Sequence, residues 1–145
     1  MKRHPVFVAC LLMATLLILP ATPAAAQSRM NDKDIQQIMD NLKNDSKKFV
    51  DSFKSSVGKS SIRKTQQEKD ARKLVDQSKK ESEKLFKKFK DKKRADTEVQ
   101  QVLSLGGRVD QLVQSAGLDS KTNDNWARVK GELDALNTAF GPGTP

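Results

Sequence analysis

The sequence predicts an all-α protein: a long antiparallel helical hairpin with two shorter C-terminal helices, a three- to four-helix bundle. Three observations predict it. Apolar residues recur at alternating steps of four and three, the period of one helical face. No stretch shows the β-branched alternation of a strand. The segments "SSVGKSS", "GLDSKTND" and "GPGTP" punctuate the periodic runs with turn-forming residues.

The first 26 residues read as a secretory signal peptide. Lys2 and Arg3 supply a positive start, and residues 6–19 form an apolar run of fourteen, short for a membrane span. Pro20 breaks the run, and Ala24-Ala25-Ala26 is a small-x-small cleavage signature before an abrupt polar shift at Gln27. Cys10 lies too early in the apolar run for a lipoprotein. Cleavage after Ala26 places the protein in a bacterial periplasm or outside the cell. The remainder, 27–145, is one small helical domain, with a hairpin over about 31–94 and C-terminal helices over about 96–140. Its loss of His4 and Cys10 removes the single His and the single Cys, so packing alone must hold the fold.

The first helix starts at Asn31, a good N-cap, with Asp32 and Asp34 in the first turn where the helix dipole favours negative charge. Its seam is Ile35, Met39, Leu42, Ser46, Phe49 and Phe53, and Gly58 marks its stop. The second helix is expected from about Ile62 to about Arg94, with the seam Ala71, Val75, Ser78, Ser82, Leu85 and Phe89. On a helical wheel Lys92 and Lys93 swing back onto this apolar stripe, so the buried seam ends near Phe89. The third helix covers about Asp96 to Ala116, with Thr97 and Gln100 as a capping box. Gly106-Gly107 interrupts it, which suits either a bend or a close approach of two backbones. Since neither Gly nor Pro separates the second helix from the third, one kinked helix is an alternative. The fourth runs from about Asp124 to Phe140, with Trp126, Val129, Leu133, Leu136 and Phe140 as its face.

Charge is uneven. Residues 27–42 carry two Lys/Arg and three Asp/Glu, residues 43–94 nineteen and eight, and residues 95–145 four and seven. The densest stretch is "KKESEKLFKKFKDKKR", residues 79–94. Lys79, Lys80, Lys84, Lys87, Lys88, Lys90, Lys92, Lys93 and Arg94 are the candidate anion-binding residues. The bland alternative is a solvated face whose lysine stems cover apolar surface while their ammonium groups stay wet. Export excludes nucleic acid as a partner, and no stacking platform or recognition motif is present. Anionic lipid, lipopolysaccharide and acidic cell-wall polymer are the expected targets. Self-association into a homo-oligomer, or a protein partner without anion binding, is the competing expectation.

Catalytic chemistry is not expected. Without His or Cys the processed chain cannot build a Ser-His-Asp, Cys-His or ordinary zinc site. "DSKTNDN" from Asp119 is no calcium loop: Asp124 stands where the glycine belongs and Lys130 where the bidentate Glu belongs. It reads as loop and helix cap. No phosphate-cradling glycine loop exists, and Trp126 reads as a core anchor. No cofactor and no metal are expected.

Residues 98–141 carry a pattern of Val99, Val102-Leu103, Arg108-Val109-Asp110, Leu118-Asp119, Trp126, Leu133, Leu136 and Phe140. This pattern resembles a group of exported bacterial helical proteins that have no known activity. The resemblance implies export and helix packing and transfers no functional residues; Arg108 and Asp110 fit a helix-surface pair. Gly106-Gly107 departs from the bulkier residues usual in that group.

Overall fold

The computed structural model describes residues 30–93 and 95–140. The apolar run at 6–19, the cleavage signature at 24–26, Arg94 and the terminal "GPGTP" lie outside the described residues. Four helices follow one another: α1 (Asp32–Val57), α2 (Gln66–Lys90), α3 (Asp96–Ala116) and α4 (Ser120–Phe140). No strand occurs among the described residues. Each helix packs on its neighbour in sequence, and α1 also packs on α4. The result is a closed four-membered ring of antiparallel helices. The two C-terminal helices lie alongside the hairpin over its length. Among the described residues no helix is long and apolar enough to cross a membrane.

The seams read from periodicity are the core. Met39, Leu42, Phe49 and Phe53 from α1 and Ala71, Val75 and Leu85 from α2 are buried together with Val99, Val102, Val109, Trp126, Val129 and Leu136. Ile35 and Phe89, at the ends of the two seams, are only half-buried. Ser46, Ser78 and Ser82 are buried as well, and the Ser82 hydroxyl donates to the Ser78 carbonyl at 2.9 Å.

Helix boundaries depart from periodicity where a side chain competes for the backbone. Asn31 caps α1 as expected, its Oδ1 accepting from the Asp34 amide at 2.9 Å. For α2 the start is Gln66, not Ile62. Thr65 Oγ1 accepts from the Glu68 amide, and Glu68 reaches back to the Lys64 amide at 2.7 Å. "TQQE" at 65–68 is thus the capping signal. Residues 58–65 form turns, with Ile62 buried beneath them. At its other end α2 stops at Lys90 rather than Arg94, which keeps Lys92 and Lys93 from rotating into the core. Helices α2 and α3 are therefore separate. The Thr97–Gln100 capping box does not form: α3 begins at Asp96 behind Ala95, with no side-chain cap, so Thr97 stands too far along to cap. Gly117, at φ 61°, closes α3 in the left-handed conformation open to glycine. Helix α4 starts four residues earlier than expected, because Asp119 Oδ1 accepts from the Thr122 amide at 2.8 Å.

Gly106 marks a close approach. A Cβ there would lie 2.5 Å from Leu133 Cδ1 on α4, whereas Gly107 faces open space.

Candidate anion-binding face

Helix α2 and the turn after it carry the expected lysines, and the structure sorts them into paired and unpaired. Lys79 faces Glu83 at 3.6 Å, Lys84 faces Glu81 at 3.3 Å, and Lys93 faces Asp91 at 3.8 Å. Each pair has at least one side chain more than 40% exposed, the kind that contributes little. Lys88 differs: its Nζ donates to Oε1 of Glu98 at 2.6 Å, and the Glu98 side chain is only 8% exposed. That bond ties the end of α2 to the start of α3, and it holds the Glu98 carboxyl below the ordinary range although burial pushes the other way. Lys88 is therefore a structural lysine.

Lys80, Lys87, Lys90 and Lys92 are exposed and, among the described residues, have no carboxylate within 4 Å. Lys69 and Lys73, earlier on α2, share that state. At 100° per residue Lys69, Lys73, Lys80 and Lys87 fall within an arc of about 40° and extend over about 27 Å. The structure thus places an unpaired lysine stripe along the outer side of α2. Lys69 and Lys73 lie upstream of the densest basic run, which begins at Lys79. The wheel angle, rather than local density, was the signal that could have found them. Arg94 lies outside the described residues.

Aromatic side chains beside the lysines behave as core edge. Phe86 and Phe89 are half-buried, and Lys43 Nζ sits 4.1 Å from the centroid of the Phe86 ring, a cation–π contact between α1 and α2.

Two grooves lie on other faces. One, of about 310 Å³, runs between α3 and α4 past Gly106, Asp110, Trp126, Lys130 and Leu133. Asp110 is its hub. The Trp126 indole N–H donates to Oδ1 at 2.7 Å, Gln114 to Oδ2 at 2.8 Å and Lys130 to Oδ2 at 3.3 Å. The indole bond first, then Lys130 and Gln114, hold the Asp110 carboxyl below its usual range. Asp110 is thus bonded across helices, not paired with Arg108. Trp126 is a core anchor, 4% exposed and 5.1 Å from the Phe49 ring. The second groove, of about 410 Å³, is polar, between Lys48, Asp51, Asp119 and Lys121. Among the described residues no group of three or more His, Cys, Asp or Glu is placed to hold a metal ion.

No protein-family model matches the sequence, and no curated protein or solved structure matches it.

Proposed function

We propose that the chain is an exported, non-enzymatic helical-bundle protein that binds an anionic component of the cell envelope through α2. The unpaired lysines carry this reading. Lys69, Lys73, Lys80, Lys87, Lys90 and Lys92 are exposed with no carboxylate within 4 Å among the described residues, so their field is not spent in ion pairs there. Such a field raises the local concentration of a polyanion and speeds its encounter. Residues 27–145, which remain after cleavage at Ala26, carry 25 Lys/Arg against 18 Asp/Glu, and this net charge of +7 supports the same reading. Anionic lipid, lipopolysaccharide and acidic cell-wall polymer all present the required charge.

The test is co-sedimentation with vesicles containing anionic lipid, with neutral vesicles as control. Binding to anionic vesicles alone is expected, fading between 0.1 M and 1 M salt as the Debye length falls from about 10 Å to about 3 Å. Replacing the six unpaired lysines by Gln removes it and leaves helix content unchanged. If the wild-type protein ignores anionic vesicles, lipopolysaccharide and cell-wall polymer at low salt, the reading fails. A protein–protein interaction module without anion binding then takes its place.

A further inference from the structure

The two ends of the bundle differ, and the stripe along α2 does not account for it. One end gathers the start of α1, the end of α2, the start of α3 and the end of α4. There Ile35, Ile38, Phe86, Phe89, Leu103 and Phe140 are only half-buried against the core. At the opposite end Val57, Ile62, Ala116 and Leu118 are sealed, none more than 8% exposed, and only Leu74 and Val113 in that half of the bundle are half-buried. The half-open end also receives six lysines in ten residues, Lys84, Lys87, Lys88, Lys90, Lys92 and Lys93, with Asp91 between them. Neighbouring helices add the exposed first-turn residues Asp32, Asp34 and Asp96, and Glu98, which is already bonded to Lys88.

Lys92 is the odd residue of this end. Its φ is 54°, in the left-handed region that disfavours any residue with a Cβ. The Lys92 amide donates to the Phe89 carbonyl at 2.9 Å and the Lys93 amide to the Lys88 carbonyl at 3.1 Å. This is the helix closure in which glycine usually stands. A lysine therefore occupies the place where local structure asks for glycine, at the tip of the turn and in solvent. Strain of this kind on a non-glycine residue is a pointer to function. Lys64, at φ 59°, is the counterpart at the sealed end. Its amide is taken up by Glu68 in the α2 cap, and Val57, Ile62, Ala116 and Leu118 around that end are buried.

We propose that the α2–α3 end docks end-on against a bilayer surface bearing anionic phospholipid, with Lys90, Lys92 and Lys93 against the phosphate headgroups. The proposal rests on the anion-binding reading above. It adds which lysines matter and how the bundle stands: upright on its end rather than along the α2 stripe. Half-open Phe86 and Phe89 beside lysines suit a headgroup boundary, where aromatic bodies and lysine stems meet apolar chains while ammonium groups stay wet. A soluble polyanion uses the lysines and leaves the aromatics unused. Two such ends present like-charged turns to each other, which disfavours a second copy as the occupant.

Two charge-matched variants of the full chain decide it. The tip variant carries Lys90→Gln, Lys92→Gln and Lys93→Gln; the stripe variant carries Lys69→Gln, Lys73→Gln and Lys80→Gln. Affinity for phosphatidylglycerol–phosphatidylcholine vesicles is measured alongside thermal melts, which confirm that both fold. The tip variant is expected to lose affinity on the order of 100-fold, from the contribution of each lysine near an anionic surface. The stripe variant is expected to lose less than about tenfold, since its lysines stand further off and are screened. Lys92→Gly is expected to weaken binding and yet raise the melting temperature, because glycine relieves the left-handed turn; a purely structural role for Lys92 moves only the melt. Equal losses in both triples, or a greater loss in the stripe, overturn end-on docking while anion binding stands. No binding by the wild-type protein overturns both, and self-association through this end in sedimentation overturns the docking in favour of a second copy.

Discussion

The joint between α3 and α4 and the seams that α1 and α2 bury are made of different materials. At the first, Gly106 lets Leu133 come within 2.5 Å of where a Cβ would stand, and the Trp126 indole locks onto Asp110 at 2.7 Å. In the second, Ser46, Ser78 and Ser82 occupy buried seam positions. The bridge from α1 to α2, Lys54 to Asp76 at 3.1 Å, joins side chains 49% and 43% exposed. Directional contacts and a missing Cβ specify the α3–α4 joint. Small hydroxyl residues give the hairpin seams fewer apolar atoms to bury. Tolerance to substitution should therefore be divided between the halves of one domain.

The largest effect should come from Trp126→Ala. It opens a cavity beside Phe49 and strips Asp110 of its indole donor, and it is expected to cost about 3–5 kcal/mol in denaturant unfolding. A loss comparable to that of a surface substitution would break the comparison. Next stands a pair of adjacent glycines. Gly106→Val forces Leu133 aside, with an expected cost of about 1–3 kcal/mol. Gly107→Ala, with nothing within 4 Å, should instead stabilise the helix by up to about 1 kcal/mol. Like signs for both would show that helix propensity alone governs α3.

A third effect is tied to pH. The Asp110 carboxyl is held below its usual range in the folded protein, so it binds its proton less readily folded than unfolded. Its stabilising contribution is complete above the unfolded carboxyl value of about 3.9 and is lost as pH falls through the depressed folded value. Asp110→Asn is expected to cost about 1 kcal/mol at pH 7, and its difference from the wild type should shrink as pH is lowered below that of an ordinary Asp. A gap independent of pH would assign the effect to packing. The smallest effect is expected in the hairpin. Among the described residues the Ser46 hydroxyl has no hydrogen-bond partner, so Ser46→Ala should be neutral or stabilise by about 0.5 kcal/mol, through helix propensity and the removal of an unsatisfied group. Measurable destabilisation would mean that the serine seam is as exacting as the tryptophan joint.

The same division governs what could be read from the chain. The core seams were legible because the period of a helix acts on side chains within one turn: Met39, Leu42, Phe49, Phe53, Val75 and Leu85 stand where periodicity placed them. A bend and a close approach of two backbones are the expectations at Gly106; the structure instead seats the Leu133 side chain there, which only a partner helix can supply. Boundaries failed where a cap outweighed a period. Thr65 begins α2 and Asp119 begins α4, although apolar spacing pointed to Ile62 and Asp124. The link from Asp110 to Trp126 joins two helices, so no local pattern announced it, and Asp110 was assigned to Arg108 instead. In the basic segment, lysine density gave no warning that Lys88 is committed to Glu98. Nor did it point to Lys69 and Lys73, which continue the stripe outside the dense run.

The ring of helices also sets an order of assembly. Three joints unite consecutive helices across short turns and can form as soon as each pair exists. The joint between α1 and α4 cannot: Asn41 meets Glu132 across 91 residues of chain, and the tilted Phe49–Trp126 ring contact forms only when both are present. Closing so long a loop is entropically slow relative to zipping neighbours together. Until α4 arrives, the face of α1 that bears Phe49 lacks Trp126 against it. The final helix is the clasp of the structure, and the interval before it shuts is when the apolar face of α1 is least covered.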